Sequence, residues 1–424
     1  MSATVLQDAP AAAVPGPIAG CRACGARDLV DVLSLGRTPL ANALLAPEEL
    51  DGPEERFPLD LVVCPRCSLV QITETVPPER LFGEYLYFSS FSDTMLRHAE
   101  ALAARLVAER SLGPESLVAE VASNDGYLLQ YYLRAGIPVL GIEPAANIAR
   151  VARERGVETV CEFFGAELAA RLAAAGRRAD VVHANNVLAH VADLNGVVRG
   201  FHTLLKSGGA AVIEVPYVRD MIAGTEFDTV YHEHLCYFSL TALDRLFRRH
   251  GLVIGDVERL AIHGGSLRLF AFPAADRPVP ADSVRRLLAE EQEWGVDRPD
   301  FYLGFGERVE ALRRELRGML DGLKREGKRI AAYGASAKGS TLLNYFGIGR
   351  ETLDFVADRS VVKQGRFTPG THLPVKAPEA LLEEMPDCVL LLTWNFADEI
   401  LEQQAEYRRR GGRFIIPIPE LRVE

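Results

Sequence analysis

One short run of the chain combines five polar side chains, most of them titratable: Thr229-Val-Tyr231-His232-Glu233-His234. Imidazole can act as a base near neutral pH, and a neighbouring carboxylate can fix its tautomer and raise its basicity. Two histidines at i and i+2 without a third ligand nearby make a weaker case for a metal site than for acid–base chemistry. The run therefore predicts a proton-transfer site. A polar loop that bonds to its own backbone is the alternative.

A second candidate site is the turn Glu120-Val-Ala-Ser-Asn-Asp-Gly126, which follows an apolar strand pattern and opens a helical one. Such a turn presents backbone N–H groups and a helix N-terminus to a ligand carboxylate, such as that of S-adenosylmethionine. Glu143 ends the next predicted strand, where an acidic residue can accept both ribose hydroxyls of an adenosine. NAD fits Glu143 equally well, but Ala122 and Asn124 stand where two glycines would admit a pyrophosphate. The turn favours S-adenosylmethionine, with a turn that binds no ligand as the remaining alternative.

Four more side chains are candidates at the same edge of the predicted sheet. Phe163 and Phe164 follow a short strand and can sandwich adenine, although such apolar pairs are as often part of a core. Asn185 and His190 run off a strand end in VVHANNVLAH, at the carboxyl edge where ligands bind in open α/β folds. For His190 the alternative is a surface histidine on a helix.

The amino-terminal segment carries Cys21-Arg-Ala-Cys24 and, after 39 intervening residues, Cys64-Pro-Arg-Cys67. Two Cys-x-x-Cys pairs in a protein without a disulfide framework indicate a metal site. Four thiolates complete the tetrahedron of a zinc ion and leave no open position for a substrate. The predicted zinc is therefore structural and stabilises a segment too small to fold alone.

Alternating short strands and helices must position these residues, and that alternation predicts an α/β fold with parallel sheets. An amphipathic helix is predicted over Thr94 to Arg110. The predicted strands of a first series are Leu117 to Val121, Val139 to Glu143, Val181 to Ala184 and Ala210 to Glu214. Those of a second series are Arg329 to Tyr333, Thr352 to Ala357 and Val389 to Leu392. The sequence thus predicts two Rossmann-like, doubly wound domains that follow a small zinc-binding module.

Composition excludes several function classes. The 424 residues carry a formal net charge of −11, which opposes the binding of nucleic acids because that binding depends on clustered lysine and arginine. The sequence has no apolar stretch long enough to cross a bilayer, and its first residues lack the features of a secretory signal. We therefore expect a cytoplasmic protein with no membrane or nucleic-acid partner. The oligomeric state is left open.

Over nearly its whole length the chain resembles the three-domain nucleotide-deoxysugar C-methyltransferases, to which the tetronitrose 3-C-methyltransferase belongs. Besides the cysteine pairs, the resemblance is carried, in family order, by LGRTPLANALL, YLYFSS, SNDGYLLQ, GIEPAANIA, ANNVLAH, YHEH, IHGGSLR, YGASAKGSTLLNY and LTWNF. It implies a zinc-binding module over 21–85, an S-adenosylmethionine-dependent methyltransferase domain over 86–275 and a nucleotide-sugar-binding, Rossmann-like domain over 276–424. The Ala/Pro-rich residues 1–20 are expected to form a disordered tail.

The resemblance also implies the chemistry: a ketone at C4 of the sugar acidifies the hydrogen on C3, a base removes it, and the carbanion attacks the sulfonium methyl group. We expect His234 to be the base and Glu233 to orient it. The implied contacts of the enolate or of a hydroxyl are Tyr231, His190 and Tyr85, with Tyr87 as the alternative tyrosine. The chain departs from the family with Ala122 in place of glycine and YLY in place of YPY, and the second departure blurs which tyrosine is meant.

The turn Gly334-Ala-Ser-Ala-Lys338-Gly-Ser340 follows the first strand of the second series and contains small residues, a lysine and the start of a helix. It is a candidate cradle for the sugar-nucleotide pyrophosphate, through Ser336 and Lys338. Further candidate contacts for the sugar and the nucleobase of the substrate are His263, Ser266, Arg268, Trp394 and Asn395, with plain turn geometry as the alternative. The resemblance favours a dTDP-sugar. The competing interpretations are O- or N-methylation, a nicotinamide-dependent sugar oxidoreductase or dehydratase, and a zinc-binding module without catalysis.

Overall fold

The computed structural model describes residues 15–82, 89–91 and 93–424. Its first unit consists of β1 (Gly16–Pro17), β2 (Val30–Thr38), β3 (Phe57–Val63), β4 (Val70–Ile72), β5 (Glu74–Thr75) and α1 (Pro78–Phe82). β2, β3 and β4 form an antiparallel sheet in that order, and β1 pairs with β5. The first Cys-x-x-Cys pair precedes β2 and the second connects β3 to β4. Because Val30 pairs with Val63, the sheet brings both pairs to one end.

The second unit begins with α2 (Asp93–Glu109) and runs through β6 (Val118–Val121), α3 (Leu129–Arg134), β7 (Val139–Ile142), α4 (Ala146–Glu154), β8 (Thr159–Val160), α5 (Ala166–Ala174), β9 (Ala179–Asn185), α6 (Leu194–Leu204), β10 (Leu205–Pro216), α7 (Val218–Ala223), β11 (Cys236–Tyr237), α8 (Leu240–Arg249), β12 (Leu252–Leu260) and β13 (Ser266–Pro273). Seven of its strands form one sheet in the order β12-β13-β10-β9-β6-β7-β8. β13 is antiparallel to both of its neighbours, and the pairs from β10 to β8 are parallel. β11 leaves this sheet and pairs with β4 of the first unit.

The third unit consists of α9 (Asp282–Trp294), α10 (Phe305–Arg325), β14 (Ile330–Tyr333), α11 (Ala337–Phe346), β15 (Val356–Ala357), β16 (Val375–Lys376), α12 (Ala380–Glu384), β17 (Cys388–Leu391), α13 (Ala397–Gln403), α14 (Ala405–Arg409), β18 (Arg413–Ile416) and β19 (Arg422–Val423). Its sheet has the order β16-β15-β14-β17-β18-β19, and only the pair β18–β19 is antiparallel. No described helix is both long and apolar enough to cross a membrane.

The central strands are buried on both faces, as parallel strands covered by helices should be, and this explains their continuous apolar sequences. Three of them nevertheless hold a buried polar side chain: Glu120 on β6, His183 on β9 and Glu214 on β10. Burying such groups costs free energy unless they are paired. His183 is paired with the hydroxyl of Tyr132 at 2.8 Å, and Glu214 with Arg268 at 2.7 Å.

The predicted fold class is confirmed, and two of its details are wrong. The strand expected over Thr352 to Ala357 is reduced to β15, because the backbone N–H groups of Thr352 and Leu353 turn back to the carbonyl of Gly349. The end of the segment predicted as a tail is ordered: Ile18 donates to the Thr73 carbonyl at 2.9 Å, beside the pairing of β1 with β5. The domain borders stay predictions.

Candidate active site and metal centre

The four paired cysteines form the metal centre. Their sulfur atoms all lie within 4.8 Å of one another, with Cys21 to Cys67 at 3.4 Å and Cys24 to Cys64 at 3.5 Å. Four sulfurs at about 2.3 Å from a zinc ion would be about 3.8 Å apart, so the cluster fits a tetrahedral Zn site. Each Cys-x-x-Cys turn is closed by backbone hydrogen bonds across its first cysteine. A zinc ion held here would be structural, because the four thiolates would fill its coordination shell.

The predicted cofactor turn between β6 and α3 has a left-handed backbone. Ala122, Asn124 and Gly126 have φ of 52°, 47° and 80°. At Gly126 a Cβ would also come within 2.8 Å of the Val157 side chain, so only glycine fits there without displacing it. Within the turn, the N–H of Ser123 donates to the Ile142 carbonyl at 3.2 Å and that of Gly126 to the Ser123 carbonyl at 3.1 Å, which fixes the turn against the end of β7.

Glu143, at the end of β7, is fixed in place by the same turn. Its carboxylate accepts the backbone N–H of Asn124 at 3.0 Å and that of Ala145 at 2.9 Å. Burial raises the pKa of Glu143, and the two backbone donors partly oppose this rise. A carboxylate oxygen has two lone pairs, so both oxygens keep capacity for ribose hydroxyls.

Two buried polar atoms at the same edge lack a hydrogen-bond partner among the described residues: Glu120 Oε2 and Asn185 Oδ1. Burial raises the pKa of Glu120 well above its usual value, and the neighbouring carboxylates of Glu143 and Asp125 add to the effect. A buried carboxyl group with one unbonded oxygen, beside other carboxylates, is the environment that a cationic, polar ligand satisfies. S-adenosylmethionine, with its sulfonium and ammonium groups, fits this set of donors and acceptors.

The two predicted adenine contacts differ in their surroundings. Phe163 is 49% exposed and available to a ligand. Phe164 is half-buried and stacks on Phe201 of α6 at 5.6 Å between ring centroids. The pair therefore does not face one common space, and Phe164 is engaged in packing.

The run first singled out for proton transfer forms a hydrogen-bonded cluster with His190. His234 lies with Nδ1 2.9 Å from the Thr229 carbonyl and Nε2 2.7 Å from the Tyr231 hydroxyl. Because a carbonyl only accepts, Nδ1 carries the hydrogen, and Nε2 accepts the hydrogen of Tyr231. His190 is adjacent, with its ring centroid 4.8 Å from that of His234.

His190 ends a single 3-10 turn, Leu188–His190, directly after β9. Its Nδ1 lies 2.7 Å from the backbone carbonyl of Glu233 and therefore also carries the hydrogen, which makes Nε2 an acceptor. Burial lowers the pKa of His190 to about 4, so the ring is neutral at pH 7. In this state His190 can accept a hydrogen bond from a hydroxyl group but cannot donate one to an enolate oxygen.

The prediction that Glu233 orients the imidazole of His234 is wrong, because its carboxylate points elsewhere. Oε1 accepts a 2.7 Å hydrogen bond from Nδ2 of Asn42, in the zinc-binding module. Burial raises the pKa of Glu233 to about 7, opposed by the Asn42 hydrogen bond and by the charge of Lys363. The Thr229 carbonyl orients His234 instead. Neither Asn42 nor this carbonyl was singled out from the sequence; the only signal was that Asn42 lies within LGRTPLANALL.

The remaining member of the run, His232, is outside the cluster. It is buried and its Nε2 donates to the Pro58 carbonyl at 3.1 Å, which ties the run to β3. Two predicted tyrosines, Tyr85 and Tyr87, lie outside the described residues, as does the side chain of His263.

Two predicted sugar contacts belong to the scaffold. Arg268 on β13 is 7% exposed and donates to Glu214 at 2.7 Å and to Glu258 at 3.1 Å. Ser266 is buried and donates to the Ile262 carbonyl at 3.1 Å. Arg268 is thus engaged by the strands that flank β13, and Ser266 by the turn that precedes it. Their assignment as sugar contacts stays a prediction.

The third unit meets the residues just before the active-site run through Trp394 and Lys338. Trp394 Nε1 donates to Asp228 at 2.7 Å, and Lys338 Nζ lies 4.3 Å from the Trp394 ring centroid. Nζ is buried without a hydrogen-bond partner among the described residues, and burial lowers the pKa of Lys338 while Asp228 and Glu226 oppose that decrease.

The other predicted contacts in this unit are Ser336 and Asn395. The hydroxyl of Ser336 accepts the backbone N–H of Gly339 at 3.1 Å and so caps the start of α11. Asn395 is half-buried in the turn Trp394–Phe396, after the end of β17. Both residues therefore lie at the carboxyl edge of the third unit's sheet, near Lys338.

Three domain models match the chain in succession. They are a zinc binding domain over residues 21–82, a methyltransferase domain over 95–256 and a C-methyltransferase C-terminal domain over 261–419. The C-methyltransferase NovU of Streptomyces niveus is 41% identical over 407 residues, which are 96% of this chain and 97% of that protein.

A second relative matches only the middle of the chain. The ubiquinone biosynthesis O-methyltransferase of Methylobacterium sp. (strain 4-46) is 28% identical over 192 residues, 41% of this chain and 76% of that protein. Among solved structures, the magnesium protoporphyrin IX methyltransferase of Synechocystis PCC 6803 with bound SAM covers 46% of this chain and 88% of its own, at 15% identity and a TM-score of 0.33. That structural similarity is too low to transfer any property of the site.

Proposed function

The chain belongs to the S-adenosylmethionine-dependent C-methyltransferases, and from that premise we propose that its acceptor is C3 of a nucleotide-linked 4-keto-deoxysugar. Family membership removes the oxidoreductase and the non-catalytic module from the interpretations raised by the sequence. The observation that supports a carbon acceptor is the cluster of Tyr231, His234 and His190, in which Tyr231 is hydrogen-bonded to His234 and the ring of His190 lies against that of His234. A saturated carbon needs a base before it can accept a methyl group, and this cluster supplies one.

His234 is the proposed base. Its Nδ1–H is held by the Thr229 carbonyl, so Nε2 is the nitrogen that takes a proton. His190 is the weaker candidate, because a pKa of about 4 leaves it a poor proton acceptor. In the proposed step the C3–H bond breaks, its proton passes to Nε2 of His234, and its electron pair moves into the enolate of the 4-ketone.

Tyr231 is the proposed donor to the enolate oxygen. Its hydroxyl hydrogen rests on Nε2 of His234 before the reaction. Once Nε2 is protonated, that hydrogen bond can no longer form, and the Tyr231 hydroxyl is released to donate to the oxygen on which charge has developed. Bound S-adenosylmethionine supplies the electrophilic methyl group, and Glu143 with the turn at Ala122 to Gly126 would hold its ribose and its methionine carboxylate. His190 accepts a hydrogen bond from a sugar hydroxyl.

The third unit is the proposed site of the nucleotide. Lys338 contributes a buried ammonium group without a hydrogen-bond partner among the described residues, at the start of α11. A helix N-terminus and a lysine together favour a pyrophosphate. Glu226 and Asp228 beside Lys338 weaken this attraction when both are ionised, but burial raises the pKa of both carboxyl groups. The resemblance of the sequence to dTDP-sugar methyltransferases makes dTDP the proposed nucleotide.

A panel of nucleotide-linked sugars tests the proposal. The protein is incubated with S-adenosylmethionine and dTDP- or UDP-linked 4-keto-deoxysugars, and matched sugars that carry a 4-hydroxyl group serve as controls. We expect a gain of one methyl group with the 4-keto compounds only, on C3 by NMR. Methylation of the 4-hydroxyl controls on oxygen, or of an amino sugar on nitrogen, would refute the carbon acceptor.

A further inference from the structure

Asn42 links the zinc-binding module to the proposed active site. It lies on a turn after β2, and its Nδ2 donates a 2.7 Å hydrogen bond to Oε1 of Glu233, a residue 191 positions further along the chain. Asn42 is exposed, whereas Glu233 is only 6% exposed. The hydrogen bond therefore joins an exposed amide to a buried carboxylate.

The turn that carries Asn42 is held from two sides. On one side Thr38, at the end of β2, pairs with Phe57 of β3. On the other side the backbone of Leu45 exchanges two hydrogen bonds with Phe367 of the third unit, at 2.9 and 2.8 Å. Between these anchors, the Leu44 N–H donates to the carbonyl of Asn42 at 2.9 Å. The side chain of Asn42 is thus presented from a fixed backbone.

Glu233 transmits this contact to the catalytic cluster. Its side chain accepts from Asn42, while its backbone carbonyl accepts the Nδ1–H of His190 at 2.7 Å. That carbonyl sets the tautomer of His190 and hence makes Nε2 the acceptor. A displacement of Glu233 would move the atom on which the orientation of the His190 ring depends.

We propose that Asn42 is a positioning residue for the methyl transfer, which fixes the carboxylate of Glu233 and, through the Glu233 backbone, the ring of His190. This inference rests on the proposed function, since it takes Glu233 and His190 as parts of the reaction site. The zinc-binding module then has a role beyond its own folding: it supplies a side chain to the site. Zinc supports that role because it holds the start of β2 against the end of β3.

The hydrogen bond has a measurable electrostatic consequence. An N–H donor stabilises the ionised carboxylate, so Asn42 lowers the pKa of Glu233 against the effect of burial, which raises it to about 7. A pKa near 7 means that a small shift changes the ionised fraction of Glu233 under ordinary assay conditions. The titration therefore reports the hydrogen bond itself, and the kinetics of the same variants report whether the reaction depends on it.

The direct test is a titration of Glu233 in the full-length protein. Glutamate labelled with ¹³C at its carboxyl carbon is incorporated, and the Glu233 signal is identified by its loss in Glu233→Gln. We expect Asn42→Ala to raise the pKa of Glu233 by about one unit, as a lost hydrogen bond to a charged group predicts. Asn42→Asp should raise it further. Ser34→Ala, which removes an exposed hydrogen bond to Asp60 in the same module, is the matched control and should leave it unchanged.

The kinetic test uses the same variants with a 4-keto sugar. We expect Asn42→Ala to move one limb of the pH profile of kcat/KM to higher pH, by the same shift as in the titration. In the Glu233→Gln background, Asn42→Ala should have no further effect on kcat/KM. An unchanged Glu233 pKa in Asn42→Ala overturns the inference, and so does an equal loss of rate with and without the Glu233 carboxylate. If native protein fails to act on any 4-keto sugar, the proposed function is wrong, while the carboxyl titration still decides whether Asn42 controls Glu233.

Discussion

Replacement of His234 by glutamine tests the central step of the proposed reaction. Glutamine can still accept a hydrogen bond from Tyr231 through its carbonyl, but an amide does not take up a proton near pH 7. The variant therefore removes basicity while it preserves much of the polar contact that Nε2 makes at 2.7 Å. A positioned general base contributes about 10² to 10⁴ in rate, which corresponds to about 3 to 5 kcal/mol of barrier.

The assay isolates proton removal from methyl transfer. A nucleotide-linked 4-keto sugar is incubated in heavy water with S-adenosylhomocysteine, which has no methyl group to give. Native protein should exchange the hydrogen on C3 for deuterium without forming product. The exchange is measured by the loss of the C3 proton signal in NMR. His234→Gln should slow this exchange by roughly a hundredfold or more, along with turnover.

His232→Gln is the matched control, because His232 belongs to the same run and is buried, yet binds the Pro58 carbonyl outside the cluster. It should retain native exchange once folding is verified by thermal denaturation. His190→Gln should slow the exchange less than His234→Gln. Native exchange in His234→Gln together with its loss in His190→Gln would reverse the two roles. If neither substitution matters, the base is Tyr231 or a tyrosine of the YLY segment, and our reasoning about this cluster fails.

Three further predictions concern the metal, the cofactor and pH. Cys64→Ser should lose zinc and unfold or aggregate, measured by metal analysis and thermal denaturation; a folded, zinc-free variant with only turnover lost would contradict a structural metal. Glu143→Ala should weaken S-adenosylmethionine binding by about 1.5–3 kcal/mol in titration calorimetry, and unchanged affinity would place the ribose contact elsewhere. Burial raises the pKa of Glu226 from its usual 4.5 to about 8, so its contribution to stability is present below pH 4.5 and lost as pH rises to about 8. Glu226→Gln should therefore raise the thermal midpoint at pH 8 and hardly at pH 5; equal shifts at both would refute this.

The parts of the structure that depend on local spacing were predictable from the sequence. The spacing of two Cys-x-x-Cys pairs is enough to predict one metal site, and the sulfur cluster has the predicted membership. Parallel strands end at a common edge, so Glu143 and His190, which follow β7 and β9, lie at that edge as predicted. For Glu143 and His190, the position and direction of the preceding strand are enough to place the side chain at this edge of the sheet.

Contacts between distant segments were not predictable. Arg268 lies in IHGGSLR and looks like a substrate contact in sequence, yet its partners Glu214 and Glu258 lie on the strands that flank β13. No periodicity shows which strand will be its neighbour in an antiparallel pair. Likewise, Glu233 and His234 are adjacent in sequence and were expected to interact, but side chains of consecutive residues point in different directions, and Glu233 meets Asn42 instead.

The three units together explain why the reactive run can be held as an irregular loop. Segment 226–234 has no long helix or strand of its own, and its buried polar groups need partners from elsewhere. The third unit provides one set, with the indole of Trp394 donating to Asp228 at the start of the segment. The zinc-binding module provides another, with Asn42 donating to Glu233 near its end. The methyltransferase sheet supplies the cofactor edge but neither of these contacts, so in the proposed mechanism the outer two units fix the loop that carries the base.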